Sequence, residues 1–104
     1  KGRKKEIIII SGENVAPAEI EAVLLEHPEV ADAAVIGVNH ETRGEAPVAF
    51  VIGRRFHKLT TKELREYCRE RMAAFKVPRR FIISDTLPRN ATGKILKREL
   101  YKLA

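Results

Sequence analysis

Tryptophan is absent from this 104-residue chain, and its aromatic side chains are only four Phe and two Tyr. A single cysteine, Cys68, excludes an intrachain disulfide and a zinc site built from cysteines. One free thiol is also what a reducing compartment leads one to expect. Long apolar runs are missing: the longest aliphatic stretch covers residues 7–10, against the roughly 20 apolar residues that a membrane-spanning helix needs. No signal peptide is visible, and the C-terminal "KLA" is not a peroxisomal address. A cytoplasmic location is therefore expected. The chain also lacks an initiating Met and opens in the charged run "KGRKKE", which suggests a piece of something longer.

What is present is charge. Charged residues make up 33% and hydrophobic residues 44%, the balance of a soluble globular chain of one-domain length. The net charge of +6 is uneven: residues 69–102 hold ten basic and three acidic side chains, and the remainder is near neutral. A basic C-terminal third favours an anionic partner such as nucleic acid, a phosphate-bearing small molecule or an acidic lipid, with a solvated charged face as the plainer reading.

The residue pattern predicts α+β architecture in a single domain, 1–104. "KEIIII", 5–10, is β-branched and reads as a buried strand. "SGENVAP", 11–17, reads as a turn or loop, and Pro17 suits the first position of a helix carrying Ile20, Val23, Leu24 and His27 on one stripe. "VADAAVIGV", 30–38, and "VAFVIG", 48–53, predict antiparallel strands around a polar loop, 39–47, that turns at Gly44. Thr60 and Glu63 form a capping box that opens a helix running to about residue 74, with Leu64, Tyr67, Cys68 and Met72 as its apolar face. "RFIIS", 80–84, is a further strand. Residues 94–103 predict a last helix with Ile95, Leu96, Leu100 and Leu103 inward and Lys97, Arg98 and Lys102 outward. The expected result is a small mixed or antiparallel sheet of about three main strands plus a short N-terminal hairpin-like strand, covered by two to three helices.

Most motifs for chemistry fail on countable positions. "ATGK" is not a P-loop: the residue five before Gly93 is Pro88, and Ile95 rather than Ser or Thr follows Lys94. As an isolated feature, Gly93-Lys94 reads first as a structural loop, in which Gly93 relaxes the backbone before a helix and Lys94 is solvated. Nucleic-acid modules interleave aromatics with basic residues, and the basic third offers only Phe75, Phe81 and Tyr101. His27, His40 and His57 show no metal-ligand spacing. Ser11, Ser84 and Cys68 have no base nearby in sequence, and Cys68 fits a helix core. "SGENV" could form an anion-binding nest.

Three blocks taken together carry a resemblance. "GRKKEIIIISGENVAPAEIE" (2–21), "HPEVADAAVIGVNHETRGEAPVAFV" (27–51) and "KVPRRFIISDTLPRNATGKILKREL" (76–100) resemble, in order and spacing, the C-terminal domain of adenylate-forming enzymes. These are the acyl-CoA synthetases, luciferases and nonribosomal peptide adenylation domains. "SGENVAPAEIE" is most similar to the fatty and medium-chain acyl-CoA synthetase branch. The resemblance implies a parent enzyme that turns a carboxylic acid and ATP, with Mg2+, into an acyl-adenylate and then into a CoA thioester. It also implies a large N-terminal domain for ATP and acid, so that this chain is inactive alone.

The resemblance further implies roles for single residues. Lys94 matches the lysine that reaches the carboxylate and α-phosphate oxygens during adenylation. Lys5 matches the hinge about which the small domain rotates, and Arg3 a nucleotide contact beside it. Gly12 and Glu13, in the "SGEN" loop, match the border of the pantetheine tunnel, and Arg43, Phe75 and Arg79 match positions near the CoA nucleotide. No metal site belongs to this domain, and no nucleic acid or membrane span is implied. The implied partners are the N-terminal domain, CoA and the acyl-adenylate, and a lysine acetyltransferase acting on Lys94. Two positions depart from the pattern. Ser11-Gly12 stands where many relatives have two glycines, and Arg43 stands where an aromatic often precedes glycine. The competing reading is a free-standing basic module that binds RNA or an acidic partner.

Overall fold

A computed structural model of the chain describes residues 6–54 and 58–104. The α+β expectation holds, and the described residues form five strands in one mixed sheet. β1 (Ile8–Ile10) and β2 (Glu13–Val15) form a tight hairpin, followed by α1 (Pro17–Leu25). β3 (Val30–His40) and β4 (Gly44–Gly53) form the long central hairpin, then come α2 (Thr61–Arg69) and a 3-10 turn, Ala74–Lys76. β5 (Arg80–Ser84) and α3 (Lys97–Leu100) complete the order. β4 pairs antiparallel with β3 and β1, and parallel with β5.

The β3–β4 register explains why these strands read as apolar runs rather than clean alternation. Ala33 faces Val51 and Val35 faces Ala49, all packed in one core with Ile20 and Leu24 of α1 and Leu64 and Cys68 of α2. Ala34 faces Phe50 and Ile36 faces Val48, and these pack in a second core with Leu87 and Leu100. Both faces of the sheet are therefore covered, one by α1 and α2 and the other by the C-terminal segment. Strands buried on both faces have no polar side to alternate.

Local chemistry sets the helix starts. Pro17 stands at the first turn of α1 with no side-chain cap before it; its missing N–H costs nothing there. Thr60 caps α2 by accepting from the Glu63 N–H at 3.1 Å. His27, buried just beyond α1, joins the two helices: its Nδ1 accepts from the Glu29 N–H at 3.0 Å, so its Nε2 donates to Glu63 at 3.1 Å.

Four sequence-based expectations need correction. Residues 11–17 are not all loop, because Glu13–Val15 pairs with β1. The polar loop 39–47 shrinks to a three-residue connection, 41–43, because His40 already pairs with Gly44. α2 stops at Arg69, well before residue 74, since Met72 and Phe75 must turn back onto the core ahead of β5; packing overrides helix propensity. The last helix is a single turn rather than residues 94–103. Ile95 instead bridges Arg89 across a loop, Leu103 is exposed and only Leu100 is fully buried.

Candidate functional site

The β1–β2 turn is the two-residue pair Ser11-Gly12, between the paired residues Ile10 and Glu13. Both turn residues have positive φ, 50° and 83°, as a type I′ hairpin turn requires. Gly12 is at ease there, whereas Ser11 holds a left-handed backbone that a second glycine would relax. Ser11, Gly12 and Glu13 are all exposed. The turn is pinned sideways, because the Ser11 N–H donates to the Arg43 carbonyl at 2.7 Å.

Arg43 gathers the neighbouring pieces. Its Nη2 donates to the Phe75 carbonyl at 2.8 Å. Its backbone N–H and that of Thr42 both point at Nδ1 of His40, at 3.3 Å each. Gly44 follows with φ of 86°, and a Cβ there would sit 3.2 Å from the Ile9 carbonyl, so the hairpin approach needs glycine. Arg43 and Arg79 line one surface groove with Arg65 and Arg69. Arg65 is held in place: its guanidinium donates to the Pro78 carbonyl at 3.1 Å and lies 5.2 Å from the centre of the Phe81 ring. The structure thus ties the Ser11-Gly12 turn to Arg43 and Arg43 to Phe75, and sets Arg43 and Arg79 on one groove, while Glu13 is exposed on β2 beside the turn. It adds Arg65 and Arg69, one helical turn apart on α2, which sequence reading overlooked. Four guanidinium groups around one groove are suited to phosphate oxygens.

Lys94 lies elsewhere. It closes a loop in which the Asn90 N–H donates to the Lys94 carbonyl at 2.9 Å. Asn90 Oδ1 in turn accepts from the N–H groups of Thr92 and Lys94, both at 3.0 Å. Gly93 supplies the positive φ of 89° that this closure needs. The Lys94 side chain is exposed, and among the described residues no group accepts a hydrogen bond from its ammonium. It shares a groove with Glu6, Asn90 and Lys97 and has no lining residue in common with the arginine groove. The Lys94 loop belongs to the segment on the second face of the sheet, while α2 and Val77 belong to the first.

Lys97 does not point outward as the helical stripe predicts. Its ammonium lies 2.8 Å from Glu6 Oε1 and 2.6 Å from Glu21 Oε2. Burial alone would lower its pKa, but the hydrogen bonds to Glu21 and Glu6 outweigh that and raise it above the ordinary lysine value. Burial pushes the Cys68 thiol up to about 11, against the pull of Arg65 and Arg71, so it is a core group. Among the described residues no cluster of three or more His, Cys, Asp or Glu could hold a metal ion. None of their helices is long and apolar enough to cross a membrane. Lys5, Arg3 and His57 lie outside the described residues.

Comparison with known proteins decides the family. Residues 19–94 match the AMP-binding enzyme C-terminal domain. The chain belongs to that family. It is 52% identical over 101 residues to the 2-succinylbenzoate–CoA ligase of Geobacillus kaustophilus (strain HTA426), covering 97% of this chain and 21% of that protein. Among solved structures it is similar to a double mutant of the o-succinylbenzoate CoA synthetase (MenE) from Bacillus subtilis, bound with its product analogue OSB-NCoA. The identity there is 42% and the TM-score 0.85, over 96% of this chain and 20% of that one. It is also similar to a Mycobacterium tuberculosis fatty acyl CoA synthetase, at 42% identity and TM-score 0.84, over 93% of this chain and 19% of that one. This AMP-binding C-terminal domain therefore spans about a fifth of the length of the curated relatives it matches. The curated relative is a 2-succinylbenzoate ligase, whereas "SGENVAPAEIE" suggests a fatty or medium-chain branch.

Proposed function

We propose that this chain is the mobile C-terminal domain of an acid–thiol ligase, which offers one groove to adenylation and another to thioester formation. In the first step a carboxylate oxygen attacks the α-phosphorus of ATP and pyrophosphate leaves. In the second the CoA thiol attacks the acyl carbon and AMP leaves. The observation that carries this reading is the separation of Lys94 from the arginine groove on a chain that belongs to this family.

In the adenylation orientation the Lys94 ammonium meets the carboxylate and α-phosphate oxygens, where negative charge gathers in the transition state. Catalysis of this kind is positioning and charge stabilisation. A lysine on a long stem, whose backbone is fixed by Asn90, supplies one point charge where it is needed. After rotation about Lys5 the other groove faces the nucleotide end of CoA. Arg43 and Arg79 pair with its phosphates, Phe75 flanks them, and Gly12 and Glu13 border the pantetheine. Arg3 contacts the adenine nucleotide. Mg2+ enters with ATP and is held in the large N-terminal domain, the partner that also carries the acid pocket. Alone, this chain is inactive. A cytoplasmic location goes with this reading, as does a lysine acetyltransferase that silences adenylation by capping Lys94.

The acid is proposed to be 2-succinylbenzoate rather than a fatty acid, because the curated relative at 52% identity is a 2-succinylbenzoate–CoA ligase. "SGENVAPAEIE" is a poor guide to the acid, since it builds the β1–β2 hairpin and the start of α1. The test is the full-length enzyme with Lys94→Ala, its two half-reactions measured separately, and acid turnover compared between 2-succinylbenzoate and fatty acids. Loss of adenylation alone supports the reading, and equal loss of both steps refutes the two-groove division.

A further inference from the structure

Lys97 joins three parts of the molecule that are far apart in the chain. Glu6 is the first described residue, two before β1, and its Oε1 accepts from the Lys97 ammonium at 2.8 Å. Glu21 sits on α1, and its Oε2 lies 2.6 Å from the same ammonium. That oxygen also accepts from the Val35 N–H at 2.8 Å, and Val35 is fully buried in β3. The Glu21 arm is therefore anchored in the rigid centre of the sheet. Lys97 itself starts α3, whose Leu100 is fully buried on the opposite face. Three residues before it is Lys94, and Glu6, Lys94 and Lys97 line one groove.

We propose that Lys97 is a positioning residue for adenylation: it clamps the entry segment at Glu6 to the body at Glu21 and so fixes where Lys94 is delivered. This rests on the reading of Lys94 and of the Lys5 hinge given above. A domain that pivots just before Glu6 is aimed accurately only if the chain becomes rigid immediately after the pivot. β1 begins at Ile8, so without the clamp residues 6 and 7 would stand unanchored between the proposed pivot and the sheet and lengthen the pivot. The two arms are unequal. Glu21 is only 19% exposed and Glu6 is 55% exposed. The Glu6 arm therefore contributes little to stability and serves mainly to set geometry. Three residues separate the clamp from Lys94, so a shift at residue 6 is felt where the charge must meet the α-phosphate. The thioester step uses the arginine groove, which has no lining residue in common with this one.

The experiment uses the full-length enzyme and four variants: Glu6→Gln, Lys97→Met, the double variant and Lys97→Arg. Pyrophosphate release measures adenylation, and CoA consumption from preformed acyl-adenylate measures thioester formation. Glu6→Gln is expected to lower the adenylation rate constant about tenfold with KM for ATP unchanged. That is less than the ~100-fold that a fixed 1 Å misplacement can cost, because the Glu21 arm remains. Thioester formation should stay within about twofold, and the melting temperature should not move. The double variant should be no slower than Lys97→Met, since both changes break the same contact, and Lys97→Arg should restore most of the rate. Adenylation at the parent rate in Glu6→Gln, or an equal fall in both half-reactions, overturns the proposal. Lys94→Ala run alongside separates the two levels. If it cripples adenylation while Glu6→Gln does not, the clamp alone is wrong. If Lys94→Ala leaves adenylation intact, the underlying reading fails and the clamp with it.

Discussion

Replacing Lys94 by alanine tests a side chain whose contribution to the fold can be separated from its chemistry. The ammonium is exposed and finds no acceptor among the described residues, while the backbone bonds to Asn90 run through N–H and carbonyl groups that alanine keeps. Stability of the domain should therefore change by no more than about 0.5 kcal/mol, the range of an ordinary surface substitution. Any larger loss of activity is then a loss of chemistry. Removal of one preorganised charge contact to a developing anion lowers rates by roughly 10²–10³. That is the fall expected for acyl-adenylate formation, read as pyrophosphate release by the full-length enzyme. The second half-reaction, started from synthetic acyl-adenylate and CoA, should keep its rate within about threefold, because the arginine groove is untouched. Acetylation of the same nitrogen removes the same charge and should reproduce the alanine phenotype. A thermal midpoint lowered by several degrees, or parallel loss in both half-reactions, would show that Lys94 acts through the fold and would refute the reasoning. Full adenylation by a stoichiometrically acetylated enzyme, established by mass spectrometry, would do the same.

Three further outcomes follow from particular residues. Lys5→Pro in the full-length enzyme should leave adenylation largely intact and block thioester formation, because proline fixes φ at the pivot; equal loss in both steps would point to misfolding. Thr60→Ala removes the oxygen that caps α2 and should cost about 1 kcal/mol, a fall in melting temperature of ~4 °C or more for a chain of this size. An unchanged melting curve would mean that α2 does not depend on its cap. Cys68, with its thiol pushed up to about 11 by burial, should react with alkylating reagents at pH 8 roughly two orders of magnitude more slowly than an unperturbed cysteine of pKa near 8.5. Because the folded value lies above the unfolded one, this group's stabilisation is complete below about pH 9 and is lost as pH rises through about 11. Rapid alkylation of the native chain at pH 8 would contradict its burial.

The central hairpin is legible in the sequence because β3 and β4 are long, β-branched and bounded by turn residues, so composition and length agree. β2 is not legible. "ENV" buries only Val15, and its strand character comes from pairing with β1 across a two-residue turn. The last helix misleads for a related reason. Apolar residues at 95, 96, 100 and 103 match a helical stripe, but Ile95 pairs with Arg89 and the Leu96 N–H donates to the Pro88 carbonyl at 2.9 Å. Backbone contacts within the 88–96 loop thus displace helical periodicity. Lys97 shows the same limit for side chains. Nothing near residue 97 announces a double ion pair whose carboxylates come from residues 6 and 21. The roles proposed for Lys94, Arg43 and Arg79 rest on resemblance alone; a lone loop lysine and two scattered arginines carry no pattern of their own.

Arg43 shows how a departure from a family pattern can be built into a site. An aromatic at that position would offer a flat face for a base to stack on. Arginine offers five N–H donors, of which one is used on the Phe75 carbonyl. The carbonyl of the same residue receives the Ser11 N–H, so one residue ties the β1–β2 turn to the 3-10 turn that holds Phe75. The fixed guanidinium lies on the same groove as Arg65, Arg69 and Arg79. In the proposed thioester orientation, recognition of the CoA nucleotide therefore shifts from stacking toward charge pairing. Charge pairing in an open groove is screened by salt, whereas stacking is much less so. Arg43→Trp should accordingly weaken the salt dependence of the KM for CoA, and a KM whose salt dependence is the same in both proteins would place the phosphates outside this groove.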